Sequence, residues 1–449
     1  MKGNMIEGNP VKCMLTFAIP MILGNLFQQF YNMVDSIIVG NVVGSQALAS
    51  IGASNSITSL FVMIAIGTGI GCSVVISQLF GAKRLEEMKT AISTELLSII
   101  VFSLILSILG RLFSSTILQL LKTPEDVFAG AKIYLDIYFY GFFFLFLYNA
   151  FTAIFNALGD SKKPLVFLMI SSCMNIVLDI WFVKYLNLGI AGAAWATFIS
   201  QATSATLSFF VLMIKLKGIP EQPTKRYDIK MLFNMSKVAF PTMLQQSMVS
   251  IGMLLIQAAV NPFGSTFLAG YTAACRIDGI AIVPMVNAGN AVSTFVAQNM
   301  GARKTERVKQ GYHIGLAMAM GIGITIGVIM FFFGDALVGA FMDSETEAAS
   351  IAIGAQYLSV VSMFYFVMGA MNVTNAVLRG SGDMKFFMSA TLINLTIRVA
   401  ITYMFAEITN GMIVMWAGPI GWASAFCFSY IRYRQGGWKQ IQLIQAEKK

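Results

Sequence analysis

The chain has 449 residues, of which 57% are hydrophobic and 11% are charged, and its mean hydropathy is +0.74. This composition excludes an ordinary soluble domain and is typical of a protein that crosses a membrane many times. The net charge of +9 does not indicate a nucleic-acid partner, because the basic residues are spread over seven polar segments and form no dense patch.

Twelve apolar segments are long enough to cross a bilayer, for which about 20 residues suffice. They cover residues 14–38, 47–76, 92–121, 132–157, 164–186, 190–215, 233–260, 266–297, 312–342, 350–378, 385–406 and 411–433. We therefore predict an all-α polytopic membrane protein with twelve transmembrane helices.

The distribution of charge predicts the orientation of these helices. Most of the 30 Lys and Arg residues fall in segments that share one side of the membrane if both termini are cytoplasmic. The opposite side has few basic residues, and its segment 343–347 (DSETE) is acidic. Since cytoplasmic loops carry the excess of Lys and Arg, we expect both termini in the cytoplasm.

The second half of the sequence repeats the first. VGSQALASIGAS (43–54) resembles FGSTFLAGYTAA (263–274), and SQLFGAKRLEEMK (77–89) resembles AQNMGARKTERVK (297–309). Six spans per half give both halves the same orientation, related by a pseudo-two-fold axis along the membrane normal, a build that favours an alternating-access transporter. The predicted parts are an N-lobe (1–215), a cytoplasmic linker (216–232), a C-lobe (233–433) and a cytoplasmic tail (434–449).

Two acids, Asp35 and Asp179, lie inside apolar segments of the first half. An ionisable group at membrane depth is costly and usually marks an ion or substrate path. In the first span, Asp35 shares one helical stripe with Pro20, Gln28 and Tyr31, and Pro20 permits a kink because it lacks an N–H group.

Polar partners accompany the second acid. Asn175 and Asp179 are one helical turn apart, and Thr197 lies in the following span. If these spans pack beside the first, the four residues enclose an oxygen-lined site that suits Na⁺ or H⁺ and not a transition metal. The alternative is that Asp35 is simply solvated at the outer interface.

The second half departs from this pattern, since Arg398 stands where Asp179 would recur. Arg276 and Asp278 add two further charges to the eighth span. Two interpretations stay open, namely structural ion pairs such as Asp278 with Arg398, or a charged wall of the substrate cavity. Four other acids near span ends are expected at the interface: Glu95, Asp136, Asp335 and Glu407.

The motifs together resemble the MATE (multidrug and toxic compound extrusion) family over nearly the whole chain. They are IPMILGNLFQQFYNMVDSIIVG, the paired loops ISQLFGAKRLEEMK and VAQNMGARKTERVKQG, FNALGDSKKP, MNIVLD and AVLRGSGDMK. The resemblance implies a two-lobe antiporter of a bacterial cytoplasmic membrane that expels drug-like, often cationic compounds against H⁺ or Na⁺.

The resemblance also implies roles for individual residues. Asp35, Asn175, Asp179 and Thr197 match the family's cation-coupling site, with Na⁺ at Asp35 and Asp179 as one option, and Pro20 matches its bending proline. Helices seven and ten lack the acids of some members, so the chain is similar to the DinF-like or MepA-like branches. The expected substrate-cavity residues are Gln28, Tyr31, Gln245, Gln246, Arg276, Asp278 and Arg398.

The expected protein is therefore a monomeric transporter of small molecules, without a cofactor other than its coupling ion. A flippase for lipid-linked oligosaccharides or peptidoglycan precursors, from the same superfamily, is the alternative, because Arg276 and Arg398 suit a pyrophosphate. A membrane enzyme is not indicated, since no nucleophile–base set or metal-ligand spacing occurs in the sequence.

Overall fold

The computed structural model describes residues 5–342, 347–441 and 443–444. It is 87% helical, and no strand occurs in these three stretches. Residues 343–346 of the predicted acidic segment, and residues 442 and 445–449 of the predicted tail, lie outside the described part of the chain.

Six α-helices form the first half of the chain. A π-helical turn, Ile180–Tyr185, follows the fifth of them directly. The helices are α1 (Pro10–Val42), α2 (Ser45–Gly81), α3 (Leu85–Leu120), α4 (Glu125–Ala157), α5 (Lys162–Asp179) and α6 (Gly189–Lys217).

Eight α-helices form the second half, because two of its spans are divided. They are α7 (Ile229–Val260), α8 (Ser265–Ala281), α9 (Val283–Gly301), α10 (Thr305–Gly339), α11 (Ala348–Ser362), α12 (Tyr365–Ser381), α13 (Met384–Phe405) and α14 (Val414–Gln435). Short 3₁₀ turns occur at Asn261–Phe263 and Gly437–Gln440.

The lengths and hydropathies of these helices agree with a polytopic membrane protein. Ten candidate spans lie within the described residues, one of which joins α8 and α9, and an eleventh is formed by α11 and α12 across a 51° bend. Helix α14, with 22 residues, occupies the twelfth predicted segment. The prediction of an all-α membrane protein is thus confirmed.

The chain packs into two compact units whose boundaries fall inside helices. One unit is Leu23–Gln246, and the other combines residues 5–22 with the described residues from Ser247 onward. Each unit therefore contains the first part of the helix, α1 or α7, that opens the opposite half of the sequence. The lobes predicted at 1–215 and 233–433 follow sequence repeats, whereas the units follow packing, and the lobe boundaries stay a prediction.

The polar linker is fastened to the first turns of α3, within the first unit. The Lys89 ammonium donates to the carbonyl of Ile219 at 2.8 Å, and the hydroxyls of Thr90 and Thr224 are hydrogen-bonded at 3.0 Å. The residue before α7, Asp228, donates its N–H to the Thr94 hydroxyl at 3.1 Å. These bonds fix the start of α7 on the first turns of α3, where the basic motif 81–89 ends.

The segment before α1 is held in the same way within the second unit. Met5 and Ile6 are buried, and the Lys304 ammonium donates to the Ile6 carbonyl at 2.8 Å. Arg307 donates to the carbonyls of Met5 and Glu7 at 3.1 and 2.9 Å. The two repeated basic loops thus share a structural role, since each holds the segment that leads into α1 or α7.

Glycines allow helices to approach closely within the first unit. A Cβ atom on Gly67 of α2 would lie 2.6 Å from the Cα atom of Met243 on α7, and one on Gly71 would collide with the backbone of Ala239. In lipid the hydrophobic effect contributes little to helix association, so helices associate largely through van der Waals contacts. Small residues such as these glycines permit those contacts because they let two backbones approach closely.

Gly67→Ala should destabilise the protein by about 1–3 kcal/mol, because the added methyl group overpacks a backbone contact. The loss is measured as a lower midpoint of thermal unfolding in detergent. Gly52→Ala, on the same helix but with open space around the added carbon, is the matched control. Equal midpoints for the two variants would contradict the close packing of α2 on α7.

Candidate cation-binding site

Asp35 on α1 and Asp179 on α5 lie side by side in the first unit. Their carboxyl groups are within hydrogen-bonding reach of each other. Asp179 is fully buried, with 0% exposure, and Asp35 is half-buried. The chain therefore places two acids together at a point that is largely closed to water.

A change of helix type occurs directly at the second acid. Helix α5 ends at Asp179, and the π-helical turn Ile180–Tyr185 continues from it. Wider π turns inside helices are rare and occur frequently at functional sites, so this local geometry supports a functional interpretation of Asp179.

Asn175 connects the two helices that flank the acid. In the amide orientation that satisfies both of its polar atoms, its nitrogen donates to Asp179 Oδ2 at 2.9 Å. Its oxygen accepts from the backbone N–H of Thr197 on α6 at 3.2 Å. Asn175 is 1% exposed, so the amide is a fixed donor to the carboxyl group.

Thr197 and Tyr31 form the other side of the cluster. The Thr197 hydroxyl donates to the carbonyl of Ala193 at 3.1 Å, which leaves its oxygen free to accept. The Tyr31 hydroxyl lies within hydrogen-bonding reach of Thr197 and interacts electrostatically with both Asp35 and Asp179. The structure thus brings together Tyr31 and all four residues that the sequence assigned to the cation site.

Three polar residues that the sequence analysis did not select extend this cluster. Tyr134 and Tyr138 of α4 lie near Tyr31, and Tyr134 also interacts with Asp35 and Asp179. The two rings stack with centroids 6.0 Å apart. Gln201, one turn after Thr197, interacts with Tyr138. The sequence did contain a signal for them. In each of the apolar helices α4 and α6, two polar residues lie one helical turn apart.

The two acids of the cluster have no balancing cation among the described residues that interact with them. Oδ1 of Asp35 and Oδ1 of Asp179 are both buried without a hydrogen-bond partner. Neither acid has a Lys or Arg among the described residues that interact with it. Two adjacent carboxylates resist simultaneous ionisation, so this oxygen-rich set can take up a proton or a hard monovalent cation.

The other predicted residues of α1 and α7 have different surroundings. Pro20 is buried inside α1, and Gln28 is exposed. On α7, Gln245 has a buried Oε1 without a partner, whereas the Gln246 amide contacts the sulfur of Met63 at 3.9 Å. Their predicted roles in bending and substrate contact stay predictions.

A second polar cluster occurs in the second unit around Asp278. The Tyr365 hydroxyl donates to Asp278 Oδ1 at 2.7 Å, and Arg398 interacts with Asp278 electrostatically. No ion pair within 4 Å joins these two residues in the described coordinates, and Arg398 Nε is buried without a partner. Arg276 is exposed. Asp278 is thus hydrogen-bonded to the Tyr365 hydroxyl, and Arg398 interacts with it only at longer range.

Comparison with known proteins agrees with this architecture. The MatE family model matches residues 20–181 and 241–404. A probable multidrug resistance protein, YpnP of Bacillus subtilis (strain 168), is 30% identical over 98% of both chains. The multidrug export protein MepA of Staphylococcus aureus (strain NCTC 8325 / PS 47) is 24% identical over 84% of this chain and 83% of MepA.

A solved structure has the same fold. A MOP superfamily transporter from Pyrococcus furiosus superimposes with a TM-score of 0.91, at 23% identity, over 98% of this chain and 99% of that chain. The family match over both halves and the 30% identity to YpnP establish the classification. The chain belongs to the MATE family, whose members are membrane transporters and not enzymes.

Proposed function

We propose that the protein is a multidrug efflux antiporter, which exports organic, often cationic, compounds in exchange for H⁺ or Na⁺. The observation that carries this proposal is the buried pair Asp35 and Asp179. A pair of acids without a balancing basic residue is suited to bind and release a cation, and a transporter can use that event to couple transport to an ion gradient.

The substrate class rests on the relatives. YpnP and MepA are named as multidrug resistance or export proteins, and efflux of drug-like compounds is the activity that we extend to this chain. The setting that we propose is a bacterial cytoplasmic membrane with both termini in the cytoplasm. That orientation follows from the excess of Lys and Arg in the predicted cytoplasmic segments.

The mechanism follows from the charge of the carboxyl pair. When the site is open to the cytoplasm, loss of the cation leaves Asp35 and Asp179 charged and favours binding of a cationic compound. When the site is open to the outside, entry of H⁺ or Na⁺ neutralises the pair and the compound is released. A cation that moves inward gains about 2.3 kcal/mol per 100 mV of membrane potential.

Asn175, Thr197 and Tyr31 are positioned to adapt to both charge states. The Asn175 amide donates to Asp179 Oδ2, which stabilises a carboxylate after the cation leaves. The hydroxyls of Thr197 and Tyr31 supply oxygens for an arriving cation. Pro20 interrupts the hydrogen bonding of α1, so we propose that this helix bends there when the charge of Asp35 changes.

The cluster in the second unit favours small organic substrates over a lipid pyrophosphate. Arg398 interacts with Asp278, so the positive charge that a pyrophosphate would require is partly offset. We propose that Asp278 and Arg398 contact the transported compound within the second unit.

Asp35→Asn and Asp179→Asn should each abolish cation-driven efflux, because an amide cannot gain or lose the charge that couples the two fluxes. The measurement is ethidium transport in proteoliposomes, with pH and Na⁺ varied independently. Glu125→Gln, an exposed acid on α4, serves as control. Full ion-driven transport by both Asn variants would disprove the coupling role.

Pro20→Ala should lower the rate of exchange while ethidium binding changes little, because alanine restores the N–H and stiffens α1. The rate is measured in proteoliposomes and the binding by fluorescence in detergent. Pro10→Ala is the matched control, since Pro10 is the first residue of α1, where a missing N–H costs nothing. An unchanged rate for Pro20→Ala would exclude bending at this residue as a required step.

A further inference from the structure

A third acid, Glu95 on α3, is buried in the first unit. The sequence analysis expected it at the membrane interface, but its exposure is only 1%. Neighbouring helices therefore cover this part of α3, and the depth of Glu95 in the membrane stays a prediction. Thr94 beside it is also buried, and its hydroxyl accepts the N–H of Asp228 from the linker.

The carboxyl group of Glu95 has no partner that could neutralise it. Both oxygens are buried, and neither forms a hydrogen bond of good geometry with the described residues. The thiol of Cys72 on α2 interacts with the carboxyl group, but a thiol is a weak donor. In the described part of the chain, no Lys or Arg is among the groups that interact with Glu95.

The helices around Glu95 bury a further unsatisfied oxygen. The Ser77 hydroxyl donates to the carbonyl of Ala157, so α2, which carries Cys72, packs directly on α4. Rings of Phe102 and Phe146, 5.7 Å apart, set α3 against α4 at a nearby level. The hydroxyl of Ser98 on α3 is buried without a hydrogen-bond partner among the described residues, as are both Glu95 oxygens.

Such a concentration of unsatisfied oxygens is unusual, since buried polar groups are normally hydrogen-bonded to protein or water. Ser98 is three residues after Glu95 and shares its helix face. Ordered water is commonly bound to buried polar groups that have no protein partner. These oxygens therefore suit a protonated carboxyl group accompanied by water.

We propose that Glu95 is a second proton-binding carboxyl group of the first unit, placed between the Asp35/Asp179 site and the cytoplasm. The proposal rests on the antiport function above and assigns H⁺ as its coupling ion. A proton released from the Asp35/Asp179 pair reprotonates the Glu95 carboxylate after Glu95 has given its own proton to water on the cytoplasmic side. Glu95 lies ten residues after Leu85, about 15 Å along α3.

Few titratable groups interact with Glu95 among the described residues. On α2, Cys72 interacts with the Glu95 carboxyl group. On the other elements packed nearby, Tyr148 of α4 and Lys225 and Asp228 of the linker are not among its interacting groups. The carboxyl group can thus change its charge without breaking an ion pair.

The test compares Glu95→Gln with Glu86→Gln, an exposed acid on the same helix, in proteoliposomes of the full chain. We expect Glu95→Gln to lose proton-driven ethidium exchange and its pH dependence, while ethidium binding in detergent is retained. Glu95→Asp should restore exchange with its pH profile shifted by about one unit. Glu86→Gln should match the wild type.

Infrared titration gives a readout that does not depend on transport. A protonated-carboxyl band that moves in Glu95→Asp should disappear as pH rises through the range of exchange. An infrared band that persists wherever the protein is folded would overturn the proposal. So would wild-type exchange by Glu95→Gln, or a changed Na⁺ dependence of that variant with an unchanged pH profile.

The Asp35→Asn variant separates this proposal from the antiport function. If Asp35→Asn loses exchange and Glu95→Gln does not, only the role of Glu95 fails. If both variants exchange normally, the coupling through acids of the first unit fails as well.

Discussion

Burial of two carboxyl groups side by side, without a basic residue to balance them, is the constraint on which the first unit depends. Asp179 is fully enclosed, and Asp35 lies against it. Two such groups resist joint ionisation, so the surrounding helices must supply hydrogen-bond donors. The Asn175 amide is such a donor, and a π-helical turn begins directly after Asp179.

The segments that lead into α1 and α7 are both held by hydrogen bonds from basic side chains. Each helix begins in one unit and ends in the other, and the segment before each is held by a repeated basic loop through Lys89 or through Lys304 and Arg307. Asp35 therefore lies on a helix whose first turns are anchored elsewhere. The same helix, α1, contains both Asp35 and Pro20.

Sequence patterns predicted the fold well because membrane helices must satisfy their backbone hydrogen bonds internally. Apolar length was enough to locate the spans, although it did not reveal the bend between α11 and α12 or the π turn after Asp179. The four residues of the cation site were chosen from helical spacing and from the resemblance. Tyr134, Tyr138 and Gln201 were not, since their helices approach α1 only in three dimensions.

The sequence alone determined the membrane class, the repeat, the family and the two acids, because hydropathy, charge and motif order are local properties of the chain. Only the tertiary structure decided that Asp35 and Asp179 interact, that Glu95 is buried, and that Asp278 is hydrogen-bonded to Tyr365. The physical reason is that burial and pairing depend on which helix faces meet, and helical spacing does not specify the neighbour.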